Sequence, residues 1–529
     1  MWHLAPGGAP SLVSRHGGVY AEPGCDLVHD GFFCGRHVMN RRGFLKTAGL
    51  SALATGLLPQ VRAADSTMAS AIGTPAESVP ADYAIRIETG LLELAPGRTI
   101  ATTLYNGQFP GPLLRLKEGR RVMVDIVNDT DTPEQLHWHG QYLPDAVDGA
   151  AEERTPFIPP HGRRREVFVP GPAGLRFYHS HVRAGVDLHR GLYTGQVGPV
   201  FIEPKHDPGS YDREVFLTLK EFEPYLTRSD TDTPFMAPAG MDDVLIAIAA
   251  GADPDAGRVP PGYELAYHSF AINGRMLGHA EPIRVKRGER VLLHVVNGSA
   301  TEVRSLALPG HVFKVVALDG NPVPHPAEVP VLWLGNAERV SAIVEMDQPG
   351  VWVLGDVNDH DRQAGMGIVV EYAGATGKPV WQKPAPFLWD YRRFADASRP
   401  VQTPDAVIDL VFTARHSAAQ GFNLWSVNGV PYDSTTMPVT QHLRLGRRYR
   451  LRMRNASDDL HPLHLHRHSF ELTRIAGHRT AGVLKDVVMV APFQTVEADF
   501  TANQPGLTLF HCHMQSHMDF GFMGLFETR

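Results

Sequence analysis

The sequence predicts an all-β chain built as three tandem β-sandwich domains. Three observations carry that reading. Gly (51) and Pro (42) are abundant, and hydrophobic residues (43% of 529) fall in many short Val/Ile/Leu/Phe runs, which suits strands divided by turns. One segment plan recurs three times along the chain. Each repeat is about the size of a β-sandwich.

The repeated plan is an Asn-Gly turn, then a Gly-marked turn, then a strand that closes on Asn. The first copy reads Tyr105-Asn106-Gly107, Lys117-Glu118-Gly119-Arg120 and Asn128. The second reads Ile272-Asn273-Gly274, Lys286-Arg287-Gly288-Glu289 and Asn297, and the third Val427-Asn428-Gly429, Leu445-Gly446-Arg447 and Asn455. The spacing from Gly119 to Asn128, Gly288 to Asn297 and Gly446 to Asn455 is nine each time. Asn-Gly pairs suit tight turns, and the runs between them suit strands. The repeat therefore predicts homologous domains at 80–205, 206–378 and 379–529. The Pro-containing stretch Lys378–Pro386 reads as the linker into the third.

Ahead of the repeats, Asn40-Arg41-Arg42-Gly43-Phe44-Leu45-Lys46 precedes an apolar run from Thr47 to Leu58, with Val61-Arg62-Ala63 as a cleavage site. Residues 39–63 thus resemble a twin-arginine signal peptide, which implies the export machinery as a partner and a periplasmic or extracellular destination. Residues 1–38 form an N-terminal extension of unknown status, and Met39 is an alternative start. Cys25 and Cys34 lie before the signal, so the mature chain keeps Cys512 alone, as a reactive thiol or a metal ligand. The formal net charge of −7 and the lack of a basic run argue against nucleic acid as a partner. No apolar stretch is long enough to form a stable membrane span.

Metal-ligand residue types fall at matched places in the repeats. Nine and eleven residues past the closing Asn stand His137 and His139 in the first copy and His464 and His466 in the third, but Leu306 and Leu308 in the second. Later, Gly174 leads to His179-Ser180-His181 and Gly506 to His511-Cys512-His513, whereas Gly350 leads to Gly355-Asp356-Val357. Side chains alternate across a strand, so each His-x-His pair puts two imidazoles on one face. Eight imidazoles exceed the needs of one metal and suit three coppers with two or three each. Cys512 points away from His511 and His513. His461, three residues before His464, turns to the side where Cys512 points, and with His517 these complete the two-His, one-Cys set of a blue-copper site.

His137-Trp138-His139-Gly140, Tyr178-His179-Ser180-His181, His461-Pro462-Leu463-His464-Leu465-His466 and the Cys512 segment together resemble the four copper signatures of three-domain multicopper oxidases, the laccase family, over residues 80–529. The resemblance implies three cupredoxin-like Greek-key sandwiches and four coppers per chain. It implies a type 1 copper on His461, Cys512 and His517, and a type 2 copper on His137 and His464. It implies a type 3 pair, one copper on His139, His179 and His513 and the other on His181, His466 and His511. It also implies one-electron oxidation of a small reducing substrate at the type 1 site, transfer through Cys512 to His511 and His513, and four-electron reduction of dioxygen to water. Asp148 in Val147-Asp148-Gly149 matches the family's carboxylate near the type 2 copper, and Phe522 falls at the axial position of type 1 copper, where a phenyl ring cannot coordinate. A local bulge would instead bring Met523 there.

The chain departs from the family pattern at Met518, where Glu is frequent and Asp519 follows, at Arg467, where Gly is common, and at Phe177, where Trp is frequent. His468 reads as a supporting or core histidine, and Met514, Met518 and Met523 as packing. The expected activity is laccase-like, with a phenol or aromatic amine as donor. The alternatives are a cuprous-ion or metal oxidase of copper resistance, which the lack of a Met-rich insertion disfavours, and a non-catalytic cell-envelope member, which the full ligand set disfavours. Replacing Arg41 and Arg42 by Lys is expected to hold the protein inside the cell, as cell fractionation would show; unchanged export would refute the signal.

Overall fold

Asparagine clasps explain why the repeat recurs. Asn106, Asn273 and Asn428 all take left-handed backbone (φ 53, 52 and 54°). Their side-chain Oδ1 atoms accept from the amides of Arg86, Thr218 and Val411, and their Nδ2 groups donate to the carbonyls of Ala84, Phe216 and Asp409. Each turn is thereby pinned to the first strand of its own sandwich. The closing asparagines do the same for the next loop. Asn128, Asn297 and Asn455 accept from the amides two residues on and donate to Thr132, Glu302 and Asp459 carbonyls respectively, as well as to a more distant strand end. An amide that makes three or four such bonds is not replaceable by another side chain of its size.

The computed structural model describes residues 79–205, 210–228, 262–396, 398–416 and 421–529. The N-terminal extension and the signal lie outside the described residues. Strands dominate, in six sheets that pair into three sandwiches. In each, the first strand runs parallel to the strand that closes on the repeat Asn: Tyr83–Ala95 beside Val122–Asn128, Arg213–Arg228 beside Arg290–Asn297, and Ala406–His416 beside Arg448–Asn455. Alternation sets which side chains go in. Val122–Asn128 buries Val122, Val124 and Ile126, which join Ile85, Ile87 and Tyr105 in one apolar cluster.

The second sheet of each sandwich brings the two motif strands together. His137–His139 pairs antiparallel with Gly174–His179, placing His137 opposite His179. His461–Leu465 pairs with Gly506–Cys512, placing His464 opposite His511 and Leu463 opposite Cys512. The equivalent pair in the middle sandwich, Arg304–Ala307 with Val351–Asp356, sets Leu306 opposite Asp356 and holds no imidazole. The same backbone frame thus carries imidazole side chains in two sandwiches and none in the third.

Asn297→Ala removes a clasp in the sandwich without histidine pairs. Each buried partner left unsatisfied costs about 1–3 kcal/mol. The variant is expected to lose stability by that order per orphaned partner, read as a lower thermal midpoint, with metal content unchanged.

Candidate metal centres

The eight pair histidines converge from the first and third sandwiches, and all are buried. His137 stacks on His466 with ring centroids 4.1 Å apart, and His139 on His464 at 3.8 Å. His513 lies 5.2 Å from His139 and 5.1 Å from His179, and His181 lies 5.3 Å from His511. Ligand atoms of His181, His466 and His511 lie within 4.8 Å of one another, as do those of His137, His139 and His179, and those of His137, His464 and His466. Burial, and then the neighbouring imidazoles, push the proton affinities of His139, His179, His181, His466 and His513 well below the usual histidine range; burial alone leads for His511, brought down to about 3. These rings are neutral at ordinary pH, each with one lone pair to give.

Hydrogen bonds choose which nitrogen carries that lone pair. Nδ1 of His137, His464, His179 and His511 faces the carbonyls of Asp148, Asp486, Ser180 and Cys512 at 2.7–2.9 Å, so Nδ1 is the donor and Nε2 turns inward. His466 donates from Nδ1 to Asp148 Oδ2 at 2.8 Å. His139 is reversed: its Nε2 meets Asp486 Oδ1 at 3.1 Å, which leaves Nδ1 inward. Nε2 of His137 and of His464, and both nitrogens of His181 and His513, are buried without a hydrogen-bond partner. A buried polar atom without a partner is costly, and a cluster of neutral imidazole nitrogens facing one space fits copper ions.

Around this set lies a carboxylate and guanidinium framework of which the motifs revealed only Asp148. Asp486 accepts from Arg339 through both oxygens (2.6 and 2.7 Å) and from Arg176 at 3.3 Å, besides holding His139. Arg176 belongs to the first sandwich, Arg339 to the middle and Asp486 to the third, and all three are fully buried. Gly140 permits the approach, since a Cβ there would sit 2.5 Å from Arg339 Nη2 and 2.7 Å from Asp486 Oδ2. On the opposite side, Asp148 Oδ2 reaches both His466 Nδ1 and His137 Nδ1 (2.8 and 3.1 Å). Glu153, which no motif marks, lies 3.6 Å from His466 Nδ1 and accepts from the Leu509 amide. Burial, reinforced by Asp148, raises its proton affinity well above the carboxylate range. Their only trace in the sequence is charge inside apolar context, as in Leu484-Lys485-Asp486-Val487-Val488.

The backbone alternation places the thiol away from these rings. Cys512 is buried in the apolar cluster that contains Leu463 and Phe522, and its Sγ stands 3.5 Å from His517 Nδ1 and 3.9 Å from His461 Nδ1. Burial raises the thiol's proton affinity, so a cation is needed to hold it as thiolate. Burial lowers that of His461 well below its ordinary value and that of His517 to about 3. Ser457 Oγ meets His461 Nε2 at 3.0 Å, and half-buried Asp459 lies 3.4 Å from His517 Nε2. Trp425 packs on both rings, 4.7 Å from His461 and 4.3 Å from His517. Phe522 lies 4.9 Å from His461, whereas Met523 belongs to another cluster with Ala150, Met518 and Leu525. Met514 packs in the cluster of Cys512. His468 is buried beside Phe500, bonded through Nδ1 to the His466 carbonyl, and outside the ligand groups described above.

Three family models described as multicopper oxidase match residues 87–207, 249–372 and 403–529. The chain is 30% identical over 527 residues to the multicopper oxidase MmcO of Mycobacterium tuberculosis, covering 93% of this chain and 97% of that one. It is 30% identical over 342 residues to copper resistance protein A of Pseudomonas syringae pv. tomato, covering 58% of this chain and 52% of that one. Among solved structures, the multi-copper oxidase from Pseudomonas thermotolerans superposes with a TM-score of 0.62 at 25% identity, over 84% of this chain and 98% of that one.

Cys512 is the sole thiol among the described residues. Cys512→Ser is expected to abolish blue absorption and metal binding by the three-residue group, and to leave the eight-histidine group able to bind. A variant that stays blue on copper loading would contradict the assignment of the thiolate.

Proposed function

The chain belongs to the multicopper oxidase family, copper-dependent oxidoreductases that take dioxygen as acceptor, and from that premise we propose that it is a laccase-like oxidase of phenols or aromatic amines, with four coppers per chain. One observation carries the reading: a single strand end joins a buried group of one Cys and two His to a buried set of eight imidazoles drawn from two sandwiches. His461, Cys512 and His517 would hold type 1 copper, and His137 and His464 type 2. The two remaining sets, His139/His179/His513 and His181/His466/His511, would hold the type 3 pair. Copper so held supplies one-electron oxidation of the donor and four-electron reduction of dioxygen to water.

The chain's own residues prepare those sites. Cys512 shares its backbone with His511 and His513, so one short covalent path connects the two ligand groups. Asp148 orients His137 through its backbone carbonyl and His466 through Oδ2. Its other carboxylate oxygen, Oδ1, and Glu153 Oε2 are buried with no N–H donor, and burial, then the Asp148 charge, raise the proton affinity of Glu153 well above the carboxylate range. This acid is a proton store beside the histidines, in a chain whose Met518 takes the place of the family's frequent Glu. Phe522 is supported as the non-coordinating axial neighbour, because it lies with Cys512 while Met523 faces a different cluster. The export signal at 39–63 and domain limits at 80–205, 206–378 and 379–529 complete the proposal.

A second reading has specific support. Asp459, beside His517, lies in a crowd of carboxylates with Asp458, Glu264 and Glu302. Burial, and then the charges of Asp459, Glu302 and Asp458, raise Glu264 to about 8; burial, helped by Asp458, raises Asp459 to about 7, and burial, helped by Glu221, Asp361 and Asp356, raises Glu302 to about 7. Such a group would attract a cationic donor, and cuprous ion is the case that fits a metal oxidase.

Oxygen uptake by the copper-loaded protein, measured in parallel with a phenol, an aromatic amine and Cu(I), tests both. Uptake with the phenol and the amine is the expected result, Cu(I) alone would favour the second reading, and none would sink both. The carboxylates gain charge as pH rises through 7–8, so KM for a cationic donor should fall between pH 6 and 8 while that for a neutral phenol stays level. A second prediction concerns the axial position. Phe522→Met adds a thioether donor that stabilises oxidised copper, so the type 1 potential should drop, while Met523→Leu should leave it nearly unchanged. The reverse pattern would make Met523 the ligand.

A further inference from the structure

The turn between Cys512 and His517 carries a side chain that neither ligand group needs. Gln515 is fully buried, and every one of its polar groups is engaged. Its amide N–H donates to Ala300 O of the middle sandwich at 2.9 Å. Its Oε1 accepts from the Leu192 amide at 3.0 Å, and its Nε2 donates to Asp519 Oδ1 at 2.9 Å and, more weakly, to Val182 O at 3.4 Å. The Leu192 N–H can only donate, which fixes the orientation of the side-chain amide. Asp519 continues the chain of bonds: its Oδ2 accepts from the amides of Ala184 (3.0 Å) and Gly185 (2.7 Å), and its carbonyl accepts from the Arg183 guanidinium. Gly191 leaves room for this, because a Cβ there would lie 2.9 Å from Gln515 Oε1, and its φ of +57° suits glycine.

These bonds converge on one short segment of the first sandwich, residues 182–192, which begins immediately after His181. His181 meets His466 and His511 across the interface between sandwiches. His461, Cys512 and His517, in contrast, all belong to the third sandwich. Resting on the ligand sets proposed above, we propose that Gln515 and Asp519 are positioning residues that latch the segment after His181 to the Cys512–His517 turn, and so hold His181 within the eight-histidine set. Neither residue touches that set. Their effect runs through the backbone that carries His181.

The donor–acceptor pattern makes the idea testable. In Asp519→Asn, one oxygen must keep the two backbone amides, so the new amide NH₂ faces Gln515 Nε2. Turning the Gln515 amide over would only move the clash to the Leu192 N–H. Gln515→Glu alone sets two carboxylates against each other. The double variant Gln515→Glu/Asp519→Asn reverses the polarity of the pair at unchanged net charge. The introduced carboxylate accepts from Leu192 and from the new amide, and the new amide's oxygen takes Ala184 and Gly185.

Full-length copper-loaded wild type, Asp519→Asn and the double variant would be dialysed against a weak chelator, and blue absorbance and total copper per chain measured. Asp519→Asn is expected to keep its blue band but to bind copper in the histidine set about tenfold or more weakly, the range for partners outside the ligand shell, so the ratio of blue absorbance to copper rises. The double variant is expected to restore the wild-type ratio. Wild-type copper retention in Asp519→Asn, or a double variant no better than the single, would overturn the latch. If the single variant also loses its blue band, the double decides: recovery upholds the latch and no recovery overturns it. Failure of the wild type to bind four coppers would strike the parent reading instead, and shows in the wild-type sample alone.

Discussion

Asp486 is the contact on which the assembly of the site depends. Two arginines from two other sandwiches and one imidazole converge on its carboxylate, all out of solvent. Buried ion pairs gain little over well-packed apolar groups, but breaking one by removing a partner costs about 3–5 kcal/mol. Such a cluster therefore says less about how stable the fold is than about which arrangement is allowed. Arg176 reaches this carboxylate from the first sandwich, and Arg339, which also has Asp319 of its own sandwich 3.7 Å away, reaches it from the middle one. Lys485, next in the chain, repeats the device with Asp319 and Glu338 of the middle sandwich, each at 2.9 Å. Because Asp486 also fixes the tautomer of His139, the contact that sets the docking also sets which ring nitrogen is offered inward.

Strand geometry supplies the rest. Alternation separates a thiol from two imidazoles by one backbone, so a soft ligand can lie in an apolar cluster while its neighbours lie among other histidines. Antiparallel pairing then sets each second-motif histidine against a first-motif one, His137 against His179 and His464 against His511. Burial keeps His179, His464 and His511 neutral, and neutral rings are what a copper ion needs. The same burial would be unfavourable for the protonated forms, so packing and ligand chemistry demand the same thing of these positions.

Much of this was legible in the sequence because it is local. Strand period, the nine-residue spacing and the His-x-His pairs are relations within a dozen residues, and they led to the sandwich class and to every histidine of the two groups. The asparagines were legible as spacing but not as clasps, since their partners lie on other strands. Asp486, Arg339, Arg176 and Gln515 were not legible at all. Asp486 meets Arg339 across 147 residues and Arg176 across 310, and Gln515 meets Leu192 across 323. A lone charge or amide in an apolar stretch gives no sign of which distant partner neutralises it. Glu153 escaped for a related reason: it sits in a short 3₁₀ turn, Ala151–Glu153, whose composition looks like an exposed loop, yet it is wholly buried.

The middle sandwich holds no histidine pair, which invites the view that it is a spacer. Its contacts argue otherwise. It contributes Arg339 and Asp319 to the cluster around Asp486, and the Ala300 carbonyl to the turn between Cys512 and His517. Glu302 and Glu264 of the same sandwich stand in the acidic crowd near His517. Strand ends and turns of the middle sandwich thus reach both the buried histidine set, through Arg339 and Asp319, and the rim of the Cys512 group, through Glu264 and Glu302. The repeat without histidine pairs therefore contributes charged partners that hold the two histidine-bearing repeats in register.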